Sequence, residues 1–192
     1  MAARTDSRQR MLDSARELFQ AQGYHATGLN QIVAAGKAPK GSLYFHFPGG
    51  KEQLAAEAMQ QAAETVRARL EEIAAAAPDA ATAIGAAVDL LGTALVESDF
   101  RGGCPLAAVA QDAGPEAPLI AAACSAGYAS WRASIAGLLE RHGASAERAE
   151  GLAMVVLSLI EGALLLAKTD RDIAPVRAAR AHLMTLLSEG NG

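Results

Sequence analysis

Lys40, Ser42, Tyr44 and His46 bring four groups that can bind phosphate or a base edge into one short segment, KGSLYFHF, over 40–47. A lysine pairs with phosphate or guanine, and hydroxyl and imidazole groups donate to phosphate oxygens. Leu43 and Phe47 stand four apart, the spacing that turns two side chains to one face of a helix. With those two anchored inward, Tyr44 and His46 are expected to point outward together with Lys40. Gly41 and Ser42 are small, so the start of this helix can approach another surface closely. Pro39 suits a first helical turn, where its missing N–H costs nothing. Pro48, Gly49 and Gly50 end the helix, and Lys51 follows near the start of the next one.

A segment of this kind acts only if other elements hold it. Thr27 can cap a preceding helix by accepting from the free N–H groups of its first turn, which can themselves receive a phosphate. Leu29, Ile32 and Val33 then recur at helical spacing until Gly36 and Lys37 interrupt them. Two short helices joined by a glycine-containing turn form a helix-turn-helix, whose second helix enters the major groove. The expected DNA contacts are therefore Thr27, Lys37, Lys40, Gly41, Ser42, Tyr44, His46 and Lys51. A helix over 7–22, with Asp6 as cap and Gln9 at the reciprocal capping-box position, carries an apolar stripe of Met11, Leu12, Ala15, Leu18 and Phe19. Gly23 stops it, and it is expected to pack across the other two as a three-helix head. The plainer alternative is an ordinary structural corner, with Tyr44 and His46 as satisfied surface residues.

The run ELFQAQGYHAT over 17–27, the segment KGSLYFHF and Lys51 together resemble the TetR (tetracycline-repressor-like) family of one-component transcriptional regulators. The match extends from Arg8 to about Leu54. FPGGK, ending at Lys51, and GCPL, with Cys104 to Leu106, also resemble the LmrA/YxaF-like branch. The chain departs from the family at the turn, where Lys37 stands in place of the usual glycine and Gly36 is one residue earlier. Either Lys37 takes the turn conformation or the turn is one residue longer. Gln31 and Val33 replace the acidic residue and the alanine common at those positions.

Composition agrees with an all-α chain of about nine helices. Of its 192 residues 51% are apolar but only 4% aromatic, the weight falling on Ala, Leu, Val and Ile, and Ala and Leu are strong helix formers. The net charge of −4 argues against a wholly basic nucleic-acid binder. Its distribution is uneven: residues 1–54 hold seven Lys/Arg against four Asp/Glu, and residues 55–192 hold ten against seventeen. A basic head on an acidic body suits a protein that presents one end to phosphate. The expected division is a DNA-binding domain over 1–50 and a ligand-binding and dimerisation domain over 51–192.

Within the body, a long helix from Lys51 toward Ala77 starts in the head and ends beyond it, a natural lever. Asp79 caps the next helix, with Ile84, Val88, Leu91 and Leu95 at helical spacing. A loop containing Phe100 leads to Cys104, Pro105 and a short helix to about Asp112. A helix from Pro118 to His142 carries Tyr128 and Trp131, which can line a pocket or fill core. Residues 152–167 are apolar nearly all round, as expected of a helix buried on two sides, and are broken by Ser158 and Glu161, which makes a membrane span a poorer reading. Glu161, if buried, needs a partner. A last helix follows Asp172. The ligand-contact set expected from these stripes is Tyr128, Trp131, Phe100, Cys104, Leu91 and Glu161.

The resemblance implies a homodimeric, ligand-released repressor. Its eighth and ninth helices would form the dimer interface, and a small, largely apolar effector would enter the body. Double-stranded operator DNA is the expected macromolecular partner. No motif for catalysis, cofactor binding or metal ligation stands out, so neither an enzyme nor a metalloprotein is expected; Cys104 and Cys124 are read as core or, alternatively, as sensor thiols. MAARTDSRQR lacks the apolar stretch of a signal peptide, and a cytoplasmic location without a membrane partner is expected. The competing readings are a small-molecule-binding all-α protein with no DNA role and an all-α enzyme.

Overall fold

The computed structural model describes residues 2–39, 41–114 and 116–188, with side chains from residue 6 onward. Among the described residues the chain is all-α: α1 (Ala2–Gln22), α2 (Leu29–Ala35), α3 (Leu43–His46), α4 (Gly50–Ala76), α5 (Ala80–Glu97), α6 (Ala107–Asp112), α7 (Pro118–Arg141), α8 (Ala146–Asp170) and α9 (Ala174–Ser188). The cap expected of Asp79 holds, and two further caps form in the body. Asp79 accepts from the Thr82 N–H at 2.7 Å, and Ser145 accepts from the Arg148 N–H at 3.4 Å. At the start of α9, Asp172 accepts from the Ala174 N–H at 3.0 Å.

The cap expected for α1 does not form. Nothing before Asp6 breaks a helix, so α1 begins at Ala2 and Asp6 lies inside it, ion-paired with Arg10 one turn on. Gln9 donates to Asp13 instead of closing a capping box.

Two compact units form, one from 1–64 with 104–127 and one from 65–103 with 128–192. The first packs α1 against α2 and α6. Its centre is made of large side chains removed from solvent: Met11, Leu12, Phe19, Ile32, Phe47, Leu54 and Met59, with Leu106 and Ile120 from the later segment. A Cβ on Gly127 would stand 2.7 Å from Leu106 and 2.9 Å from Ala63, so only glycine lets α7 approach α4 this closely.

In the second unit α5 packs on α9 and α8, and α8 on α9. Its buried positions mix alanines, among them Ala83, Ala87, Ala149, Ala153, Ala163, Ala167 and Ala179, with larger side chains such as Ile84, Leu95, Trp131, Val156 and Leu183. Two helices, α5 and α8, are long and apolar enough to cross a membrane by length and composition; their mutual packing and their packing on α9 account for the apolar residues they bury. One face of α8 stays uncovered. Gly151, Met154, Val155, Ser158, Leu159, Gly162, Leu165, Leu166 and Thr169 are all exposed, at the three-and-four spacing of a single stripe.

Candidate nucleic-acid interface and effector cavity

The turn between α2 and α3 is resolved by Lys37. It takes the left-handed conformation at φ 48. Its N–H reaches the Ala34 carbonyl at 3.1 Å, and the Ala38 N–H reaches the Val33 carbonyl at 3.0 Å. That pair of bonds is the Schellman ending of a helix, which usually places glycine where Lys37 stands. Gly36 has a different task. A Cβ there would lie 3.0 Å from the Arg10 carbonyl oxygen, so its missing side chain lets α2 close on α1. The Arg10 Nε–H donates to the Gly36 carbonyl at 2.8 Å and locks that contact.

Beyond the turn, the Ser42 N–H and hydroxyl both return to the Pro39 carbonyl, at 2.9 and 2.7 Å. Leu43 and Phe47 are buried as their spacing predicts. Arg8 lies over the Phe47 ring at 5.2 Å and pairs with Glu57, joining α1, the end of α3 and α4. Tyr44 is 66% exposed and Phe45 62%. Gly41 is exposed and Lys40 lies outside the described residues.

Three expectations for single residues change. Thr27 is fully buried and does not cap α2, whose N-cap is Gly28; its hydroxyl donates backward to the Gly23 carbonyl at 2.7 Å and accepts from Gln22 at 3.1 Å. A threonine so enclosed shapes the loop and presents no side chain to DNA. His46 does not point outward, because its Nε2 lies 3.1 Å from the hydroxyl of buried Ser7 on α1. Lys51 is half-buried, with its ammonium 4.4 Å from the centre of the Tyr24 ring and 3.5 Å from the His25 carbonyl. Burial lowers its pKa, opposed by the charge of Asp112; burial, aided by Glu52, raises that of Tyr24.

The first unit also carries two ties that sequence patterns did not reveal. Asp112, the last residue of α6, accepts from the His25 N–H at 2.7 Å. Glu52, in the first turn of α4, accepts from the Leu119 N–H at 2.9 Å. Both fasten the 104–127 segment to the head through a carboxylate and a backbone donor, a charge-assisted and therefore comparatively strong bond. Phe45 also escaped sequence reasoning, although a signal existed: with residues 43 and 47 inward, residue 45 falls on the opposite face of the same turn.

In the second unit a cavity of about 440 Å³ opens among α4, α5, α7 and α8. Its walls are mostly apolar, with Leu70, Ala83, Ile84, Ala87, Ile135, Leu138, Val156 and Ile160; Ser130, Ser134, Arg67, Glu71 and Arg141 supply the polar groups. None of the six expected ligand residues lines it. Trp131 is 3% exposed and meets Tyr128 edge-on at 5.5 Å. Leu91, Phe100 and Glu161 are half-buried. Cys104 and Cys124 belong to the first unit and are both buried, and burial pushes the Cys124 thiol up to about 11, which leaves almost no thiolate there for redox sensing. Among the described residues no group of three or more His, Cys, Asp or Glu side chains could hold a metal ion.

A helix-turn-helix head joined to a cavity-bearing helical body defines a one-component DNA-binding regulator. Comparison with known proteins makes the class specific. Residues 11–58 match the family model of bacterial regulatory proteins of the tetR family, and residues 80–182 match that of the LmrA/YxaF-like transcriptional regulator C-terminal domain. The chain belongs to the TetR family, in its LmrA/YxaF-like branch. It is 38% identical over 171 residues to the HTH-type transcriptional regulator LmrA of Bacillus subtilis, covering 89% of this chain and 91% of that protein. The uncharacterized regulator YxaF of the same organism is 36% identical over 176 residues, covering 92% of each. Among solved structures, a TetR regulator from Chloroflexus aurantiacus superposes with a TM-score of 0.81 at 29% identity, over 98% of this chain and 97% of that one. One from Legionella pneumophila gives 0.83 at 26% identity, over 92% and 95%. The chain is thus a transcriptional regulator of a family whose members bind operator DNA and form dimers.

Proposed function

We propose that this regulator is a ligand-released repressor, acting in the cytoplasm as a homodimer joined through α8 and α9. Residues 1–50 are its reading head and residues 51–192 its sensing and dimerising body. The observation that carries the reading is the contrast on α3, where Leu43 is buried while Tyr44 and Phe45 stand exposed in a head otherwise closed by large side chains. Tyr44, Lys37, the Gly41 backbone and Lys40 are the groups we assign to the DNA backbone, and Ser42 joins them only by releasing the Pro39 carbonyl. Lys51 joins them only by releasing Tyr24. The uncovered stripe of α8 supports the dimer, since contiguous exposed apolar surface of this kind marks an interaction site.

We assign the effector to the cavity lined by Ile84, Ser134, Ile135 and Ile160. A largely apolar wall with a few polar groups selects a largely apolar molecule with one or two hydrogen-bonding groups. The effector must bind the DNA-incompetent spacing of the two heads better than the competent one, because only differential affinity shifts the equilibrium. We read no catalytic step in this site.

A gel shift with the DNA upstream of the regulator's own gene tests the assignment. The expected result is a discrete complex whose affinity falls steeply with salt, as counterion release from phosphate contacts requires, and which Tyr44→Phe weakens. Equal affinity for the upstream fragment and for unrelated DNA of the same length would overturn it.

A further inference from the structure

We propose that Phe45 reads the 5-methyl group of a thymine in each operator half-site, so that apolar contact carries much of this regulator's base recognition. The inference rests on the head binding DNA and goes beyond that reading by naming what it recognises. Among its described residues, the recognition segment has few hydrogen-bonding groups left for base edges. The Ser42 hydroxyl spends its proton on the Pro39 carbonyl, and His46 is engaged with Ser7. Leu43 and Phe47 are buried, which leaves Tyr44 and Phe45 as the exposed side chains of α3.

These two point in different directions, because neighbours on a helix stand about 100° apart. Tyr44 leans toward the start of α4: its Cε1 lies 3.9 Å from where a Cβ on Gly50 would be. Phe45 is turned away from that side, with its ring edge-on to His46 at 5.1 Å. A single exposed phenylalanine elsewhere on a surface would need no account. On a four-residue helix that must enter the major groove, it is one of the two exposed side chains. The apolar feature that the groove offers in return is the thymine methyl, which distinguishes T from C, A and G at that edge.

The test uses the full chain and a library of random duplexes, from which bound sites are selected and sequenced. Each thymine of the selected site is then replaced by deoxyuridine, which removes the methyl group and leaves the pairing edge unchanged. We expect one position per half-site at which this replacement weakens binding about fourfold, the effect of ~0.8 kcal/mol for one buried carbon group. Phe45→Ala should bind the parent site more weakly, lose nothing further on that replacement, and select sites in which the position is no longer thymine. Its fold should be intact, with an unchanged melting temperature, because the ring is exposed. Phe45→Leu should recover part of the methyl dependence. The proposal is overturned if deoxyuridine costs the parent and Phe45→Ala the same at every position, or costs neither anything. If selection enriches no sequence at all, the DNA-binding reading fails first and this inference falls with it.

Discussion

The two compact units are held together by different kinds of core. Among the described residues, nine of the twelve largest fully buried side chains lie in the first unit, and Leu95, Leu183 and Val88 in the second. In the first unit those large groups are joined by named polar ties: Arg10 on Gly36, Thr27 on Gly23, Asp112 on His25 and Glu52 on Leu119. In the second, fewer large side chains are wholly removed from solvent, a cavity of about 440 Å³ stays open and one face of α8 is uncovered. The difference fits the two tasks proposed for the chain: a reading surface must hold its side chains in fixed register, whereas a sensing body would need room for a guest and a face for a partner.

The largest expected effect breaks the first unit. Phe47→Ala removes a ring with 0% exposure and should cost about 3–5 kcal/mol, as cavity-forming core truncations do. Ile160→Val, beside an existing cavity, should cost only about 0.5–1.5 kcal/mol. Chemical denaturation of both variants measures the contrast, and equal losses would erase the distinction between the cores. Next in size is Leu166→Glu, at a residue 55% exposed on the α8 stripe. Light scattering should find monomers, and operator affinity should fall by about a hundredfold with the loss of the linked second head.

A smaller, opposite effect is expected at the turn. Lys37→Gly should stabilise the fold by about 1 kcal/mol, since a left-handed conformation strains every residue with a Cβ. The same variant should bind DNA less tightly if Lys37 meets phosphate, so stability and affinity would move apart. An unchanged melting temperature would mean that the turn relaxes at no cost. The smallest effect concerns acid. Asp79 is held below the usual carboxylate range chiefly by its bond from the Thr82 N–H, and Asp99 by Arg171. Their folded pKa values are depressed, so the stabilisation is present above about pH 4, the ordinary value for an aspartate, and is lost as pH falls through the folded values. Thermal melts between about pH 5 and pH 3 should therefore drop in temperature, and Asp79→Asn should flatten part of that slope.

Much of this was legible in the chain. The stripe of Met11, Leu12, Ala15 and Phe19, the pair Leu43 and Phe47, and the caps Asp79 and Ser145 follow from spacing and local hydrogen bonding, which a sequence carries directly. The direction of a polar side chain is harder. Thr27 and His46 have partners, Gly23 and Ser7, that lie respectively one turn back and 39 residues away, and nothing local distinguishes such bonds from exposure. Lys37 was ambiguous for a related reason: a shifted glycine fits either a longer turn or a strained lysine, and the contact of Gly36 with the Arg10 backbone decides between them. The cavity eluded the sequence most. Periodicity identifies the buried face of α7 but not whether its neighbours close over it; Trp131 fills its space, while Ser134 and Ile135, one turn on, face the opening.

Hydroxyl-radical footprinting of the upstream DNA tests the central claim most directly. A dimer with two reading heads should protect two symmetric patches one helical turn apart, about 34–36 Å, or a multiple of that spacing. Both patches should vanish together in Leu166→Glu at the same protein concentration. A single unsymmetric patch, or protection unchanged in that variant, would contradict the account of a dimeric DNA reader joined through α8 and α9.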